Sequence, residues 1–147
     1  MTLINVVVPI EVTDEDIDDI MCTAWEGGIT YWCGYGRIVE HNTHKSVEYE
    51  GYAHEQLTKG KDILLYPIEE CYSPSGLGRD WLPNKFGEGF LVLNKNKMVK
   101  GIVKYFSRYP SCISLSYGDL RLDTGDIDAD IADRIVQYAL FGKLVYA

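Results

Sequence analysis

The sequence predicts an α+β fold, a single compact domain with three main helices packed on a small, mainly antiparallel sheet. Three observations predict it. Apolar residues recur at helical spacing in separate stretches, the main ones opening on a capping residue. Short runs rich in β-branched and aromatic residues lie between them. The two kinds of segment do not alternate in the regular way that a parallel sheet requires. A chain of 147 residues suits one hydrophobic core.

Residues 3–12 (LINVVVPIEV) are β-branched and read as the first strand. Thr13 is a good N-cap, and Asp14, Glu15 and Asp16 place acids in a first helical turn, where the dipole favours them. Ile17, Ile20, Met21 and Ala24 form its apolar stripe, and Gly27 with Gly28 is expected to end it through left-handed backbone. Residues 29–35 are short and aromatic, and 37–41 offer a further strand. Residues 41–52 are polar and suit a hairpin or exposed loop. Residues 53–59 suit a short helix stopped by Gly60, and 62–68 a strand that Pro67 marks as an edge or an end.

Residues 72–89 hold four glycines and two prolines, the longest loop signal in the chain. A strand over 90–93 follows. Asn94 caps a helix running to about Tyr109, with Met98, Val99, Ile102, Val103 and Phe106 expected inward. Lys97, Lys100, Lys104 and Arg108 fall along one face of it. The last helix is expected over 127–140, capped by Asp126 and closed by Gly142, with residues 144–146 returning as a strand.

Net charge is −8, which argues against general binding to duplex nucleic acid. The charge is uneven: residues 89–118 carry five bases and no acid. No apolar run is long enough to span a bilayer, and the N-terminal segment lacks the basic leader and cleavage site of a signal peptide, so the expected compartment is the cytoplasm. Cys22, Cys33, Cys71 and Cys112 form no C-x-x-C pair and read as reduced, mostly buried thiols.

Several patterns fail on inspection. Asp126-x-Asp128-x-Asp130 opens like a calcium loop, but Ile131 and Gln137 stand where its glycine and glutamate belong. His41-x-x-His44 lacks further metal ligands at suitable spacing. No phosphate loop, nucleophile elbow or zinc-protease motif is present, so neither a cofactor, a metal nor an enzymatic activity is expected.

Two features point to a ligand. Trp25, Tyr31, Trp32 and Tyr35 cluster with glycines, Glu26 and Arg37. Aromatic faces stack on nucleobases, a carboxylate accepts from ribose or base, and a guanidinium grips phosphate. The basic stripe, Lys100 and Lys104 above all, offers further phosphate partners. The alternatives stay open: the aromatics serve equally as core, and the lysines as a solvated face. Together the features suit a flat, phosphorylated small molecule. The acidic first helix, with Asp14, Asp18 and Asp19, suggests instead a mimic of a nucleic-acid backbone that docks on a basic protein groove.

Two stretches carry a resemblance. TDEDIDDIMCTAWEGGITYWC (13–33) and DTGDIDADIADRIVQYALFG (123–142) resemble a family of small proteins encoded in phages and prophages of Firmicutes, and AHEQLTKG (53–60) is a weaker third match. The resemblance implies an accessory phage protein. Some such proteins counter host defence by sequestering cyclic nucleotide or cyclic ADP-ribose signals, others by blocking CRISPR effectors. It directs attention to Glu26, Tyr31, Trp32, Asp123, Asp126, Gln137 and Tyr138. The expectation is a homo-oligomeric binding protein in the infected host cell that sequesters a nucleotide-derived signal without turnover. The alternative is an acidic inhibitor of a defence nuclease.

Overall fold

The computed structural model describes residues 1–68, 82–83, 89–116 and 119–146. It bears out the α+β class. Three α-helices, α1 (Asp14–Thr23), α2 (Lys95–Arg108) and α3 (Ala129–Phe141), accompany two antiparallel sheets. The larger contains β1 (Cys33–Val39), β2 (Asp62–Pro67), β3 (Leu82–Pro83) and β4 (Gly89–Leu93) in the order β1-β2-β4-β3. The smaller is a hairpin of β5 (Ile113–Ser116) and β6 (Asp119–Leu122).

Helix starts follow the local chemistry. Thr13 accepts from the Asp16 amide while Asp16 accepts from that of Thr13, closing a capping box on α1. Asn94 caps α2 through the Lys97 amide, and Gly142 closes α3 in left-handed conformation at φ 69°. The cap of α3 is Asp128, which accepts from Ile131 N–H, because Asp126 is taken up in a 3₁₀ turn over Thr124–Asp126.

Three expectations are corrected. Residues 1–10 form no strand and, among the described residues, pair with none; the arm joins the fold through Ile10, packed against the core, and Glu11, whose amide donates to the Leu120 carbonyl in β6. Strand propensity cannot supply a partner strand. Gly27 and Gly28 are not left-handed terminators: α1 runs into a π-helical turn over Ala24–Gly28, and neither residue has positive φ. Gly28 is needed for closeness, since a Cβ there would lie 2.7 Å from the Ala129 carbonyl oxygen at the start of α3. Residues 144–146 form no strand; the amides of Val145 and Tyr146 are held by a side chain described below.

Residues 29–41 give one strand, and 53–60 one 3₁₀ turn (Ala53–Glu55) followed by turns to Gly60. Residues 41–52 form the expected exposed loop, stitched by a bridge between Val39 and Ser46. Pro67 ends β2, a central strand rather than an edge. Most of the loop expected over 72–89, and Cys71, lie outside the described residues; Cys22, Cys33 and Cys112 are free thiols.

The core fills the space between one sheet face and the helices. Ile63, Leu65, Leu91 and Leu93 meet Ile20, Met21, Met98, Ile135 and Val136, all buried. Helices α2 and α3 touch where Gly101 faces Ile135 and Ala139. Val99 and Val103, expected inward, are 43% and 61% exposed; Gly101 and Tyr105 occupy the buried face instead. Among the described residues no helix is long and apolar enough to cross a membrane.

Candidate functional site

The segment that follows the π-helical turn meets α3 at a buried carboxylate. Asp133 is 6% exposed and sits one helical turn before Gln137, which is fully buried. Tyr31 donates its hydroxyl to Asp133 Oδ2 at 2.7 Å, and Trp32 Nε1 donates to Oδ1 at 2.7 Å. Gln137 Nε2 donates to both oxygens at 3.0 and 3.1 Å. The Gln137 carbonyl oxygen in turn accepts from the amides of Val145 and Tyr146, at 2.8 and 2.9 Å. The Tyr146 ring stacks on Trp32, centroids 4.8 Å apart and planes within 5°.

This network holds a buried charge by surrounding it with donors, the condition under which burial of a carboxylate is tolerable. It also raises the Tyr31 pKa, first through burial of the phenol and then through the hydrogen bond and charge of Asp133. Tyr31 therefore remains a neutral donor. Above the network lies a cavity of about 440 Å³ lined by Tyr31, Asp130, Asp133, Arg134, Leu144 and Tyr146. It presents two carboxylates, one guanidinium and two aromatic rings, and no histidine, cysteine or serine.

Of the residues picked from sequence, Tyr31, Trp32 and Gln137 come together here. Only Tyr31 faces the cavity; Trp32 is fully buried and supports it from within. The aromatic cluster is thus split between core and cavity. Trp25 lines a separate cleft of about 260 Å³ with Cys33, Gly34, Tyr35 and Gly36. A Cβ on Gly36 would meet the Trp25 ring at 2.5 Å, so that indole lies directly on the strand. Arg37 follows Gly36 in β1 and alternation sends its side chain to the opposite face, where Nε is buried and finds no hydrogen-bond partner among the described residues. Glu26 is exposed beside Cys22, and both burial and this acid raise the Cys22 pKa.

The basic stripe does not reach the cavity. Lys100 is exposed. Lys104 donates to the Gly142 carbonyl at the end of α3 and lies 5.9 Å above the ring of Tyr138, itself buried. Lys97 donates to the Val92 carbonyl. Asp123 is used locally, accepting from the Gly125 amide.

Sequence reasoning missed Asp130, Asp133 and Arg134. The signal for Asp133 was present. It falls among Ala132, Val136 and Gln137 on the buried side of α3, and an acid there requires donors from another element.

The acids of α1 are largely committed. Asp14 pairs with Lys95 Nζ at 2.8 Å, Asp18 accepts from Thr58 and Asp19 from Thr124. Burial raises the Asp18 pKa, opposed by the Thr58 hydrogen bond. Comparison of the chain with protein-family models, with curated proteins and with solved structures gave no match.

Proposed function

We propose that the protein sequesters a small nucleotide-derived ligand at the Tyr31–Asp133 cavity without turning it over. One observation carries this reading. The two segments that carry the resemblance, 13–33 and 123–142, meet at the cavity: Tyr31 from the first and Asp130, Asp133 and Arg134 from the second line it with Leu144 and Tyr146, and Trp32 and Gln137 brace it from within. Tyr31, 42% exposed, offers a ring for a base to stack on, worth about 1–3 kcal/mol. Asp130 accepts from ribose hydroxyls and Arg134 meets phosphate, the role that sequence had given to Arg37, Lys100 and Lys104.

On this reading the protein is a phage product that blunts a nucleotide-signalled defence in the cytoplasm of an infected bacterium, and it works as a homo-oligomer. The N-terminal arm supplies a surface for self-association. Leu3 and Val7 are 93% and 98% exposed, and no side chain in residues 1–10 is charged, so two arms can pair antiparallel without like-charge repulsion.

A thermal-shift panel of cyclic dinucleotides, cyclic ADP-ribose isomers and linear ADP-ribose tests the proposal. A ligand at a thousandfold excess over its Kd adds about 4 kcal/mol, a shift of several degrees. Arg134→Ala is expected to shrink the shift. A flat response, or one unchanged in that variant, defeats the reading. The acidic-inhibitor reading has less support, because Asp14, Asp18 and Asp19 already serve partners within the chain.

A further inference from the structure

A second constellation lies at the other side of the sequence pattern, in the turn that carries His41 and His44. Asp62, the first residue of β2, is 2% exposed. His41 Nδ1 lies 2.8 Å from its Oδ1, and His44 Nε2 lies 3.8 Å from its Oδ2. A carboxylate only accepts, so Nδ1 of His41 carries the proton and its Nε2 is the nitrogen left for another partner. Asn42 and His44 turn the chain with left-handed φ of 69° and 56°, a conformation that asparagine and histidine enter more readily than most residues.

The dyad opens on a cleft of about 170 Å³ lined by His41, Leu57, Gly60, Lys61, Asp62, Asn94, Lys95 and Asn96. Lys61 and Lys95 are its cations and Asp62 its one acid. Lys95 also pairs with Asp14, and in the turn itself Glu40 accepts from Thr43. Among the described residues no group of three or more His, Cys, Asp or Glu is arranged to hold a metal ion. The cleft instead gathers donors: two ammonium groups, two asparagine amides and, once protonated, the imidazole, whose second N–H is oriented by a buried carboxylate.

We infer that this cleft is a binding site for a phosphate-type dianion, whose binding takes up a proton at His41 Nε2. The inference stands independently of the cavity at Tyr31. Asp62 acts as a positioning residue: it fixes the ring and balances the imidazolium, while Lys61 and Lys95 offset its charge toward the ligand.

The test uses sulfate, a dianion of fixed charge across neutral pH, followed by inorganic phosphate, with side-chain and backbone NMR of the full chain. The expected result is that shifts gather at His41, Lys61, Lys95 and Asn96, and that sulfate binds about tenfold more tightly at about pH 5.5 than at about pH 8. His41→Gln, at an exposed position, keeps the fold and flattens that pH dependence, while Asp62→Asn moves the tautomer signature of the His41 ring. Shifts spread over all lysines, or full pH dependence in His41→Gln, overturn the inference. Perturbation centred on Arg134 instead assigns the anion to the other cavity and equally overturns it.

Discussion

At Asp133 three side-chain donors converge on one buried carboxylate, and only one of them depends wholly on it. Tyr31 and Gln137 also reach the Tyr146 carbonyl, whereas Trp32 Nε1 is described with Asp133 alone. Asp133→Ala therefore strands a buried indole N–H and opens a hole beneath the cavity, and urea unfolding is expected to show a loss of about 3 kcal/mol. Asp133→Asn keeps one acceptor and loses less. The same residues give a pH signature. An unfolded tyrosine ionises near its ordinary value of 10.0, while burial and Asp133 hold the folded Tyr31 phenol neutral above that. Its contribution to stability is thus fully present below about pH 10 and is lost as pH rises beyond it. Urea midpoints of the native chain and Tyr31→Phe, compared on both sides of that pH, converge if the phenol carries the effect. Cys33 offers a simpler check: burial pushes its thiol up to about 11, so at pH 8 it stays unreactive to a thiol reagent until the protein unfolds.

Among the elements, the contact of α2 with α3 decides a sign that helix propensity gets wrong. Gly101 lies inside α2, where alanine gains up to about 1 kcal/mol in an isolated helix. Here a Cβ would lie 2.6 Å from the Ile135 carbonyl oxygen and 2.8 Å from the Ala139 Cβ, backbone and packed side chain that cannot simply step aside. Gly101→Ala is expected to cost about 1–3 kcal/mol and lower Tm by several degrees, read by calorimetry. A rise in Tm would show that the helices separate freely. The contrast explains what sequence could convey. Helix starts at Thr13 and Asn94 were legible because a cap is made within a few residues. The duties of Gly28 and Gly101 were not, because the atoms they avoid lie far away in sequence. The site divided in the same way: Tyr31 stood out in the aromatic cluster and Gln137 through the resemblance, the burial of Asp133 was legible in the helical pattern, and its donors and the place of Arg134 appeared only when α3 met the aromatic segment.

For the molecule as a whole, the arm of residues 1–10 is the departure from a closed fold. Its β-branched sequence suggested a strand, yet among the described residues its one backbone pairing is the Glu11 bridge, beside the packing of Ile10 on the core, since pairing depends on a neighbour that sequence does not name. Val7→Lys, at a residue 98% exposed, is expected to leave Tm within about a degree while lowering self-association in sedimentation velocity. An unchanged sedimentation profile from a self-associated parent would remove the arm from the interface. The stacked pair of Trp32 and Tyr146 has a different use. Gln137 holds the amides of residues 145 and 146, and the Tyr146 ring then covers an indole with no exposed surface. The emission colour of Trp32 thus becomes an optical gauge of whether the last turn of chain is seated. With Trp25 and Trp81 replaced by Phe, Gln137→Ala should redden that emission and admit acrylamide while circular dichroism still reports intact helices, turning one ring contact into a readable latch.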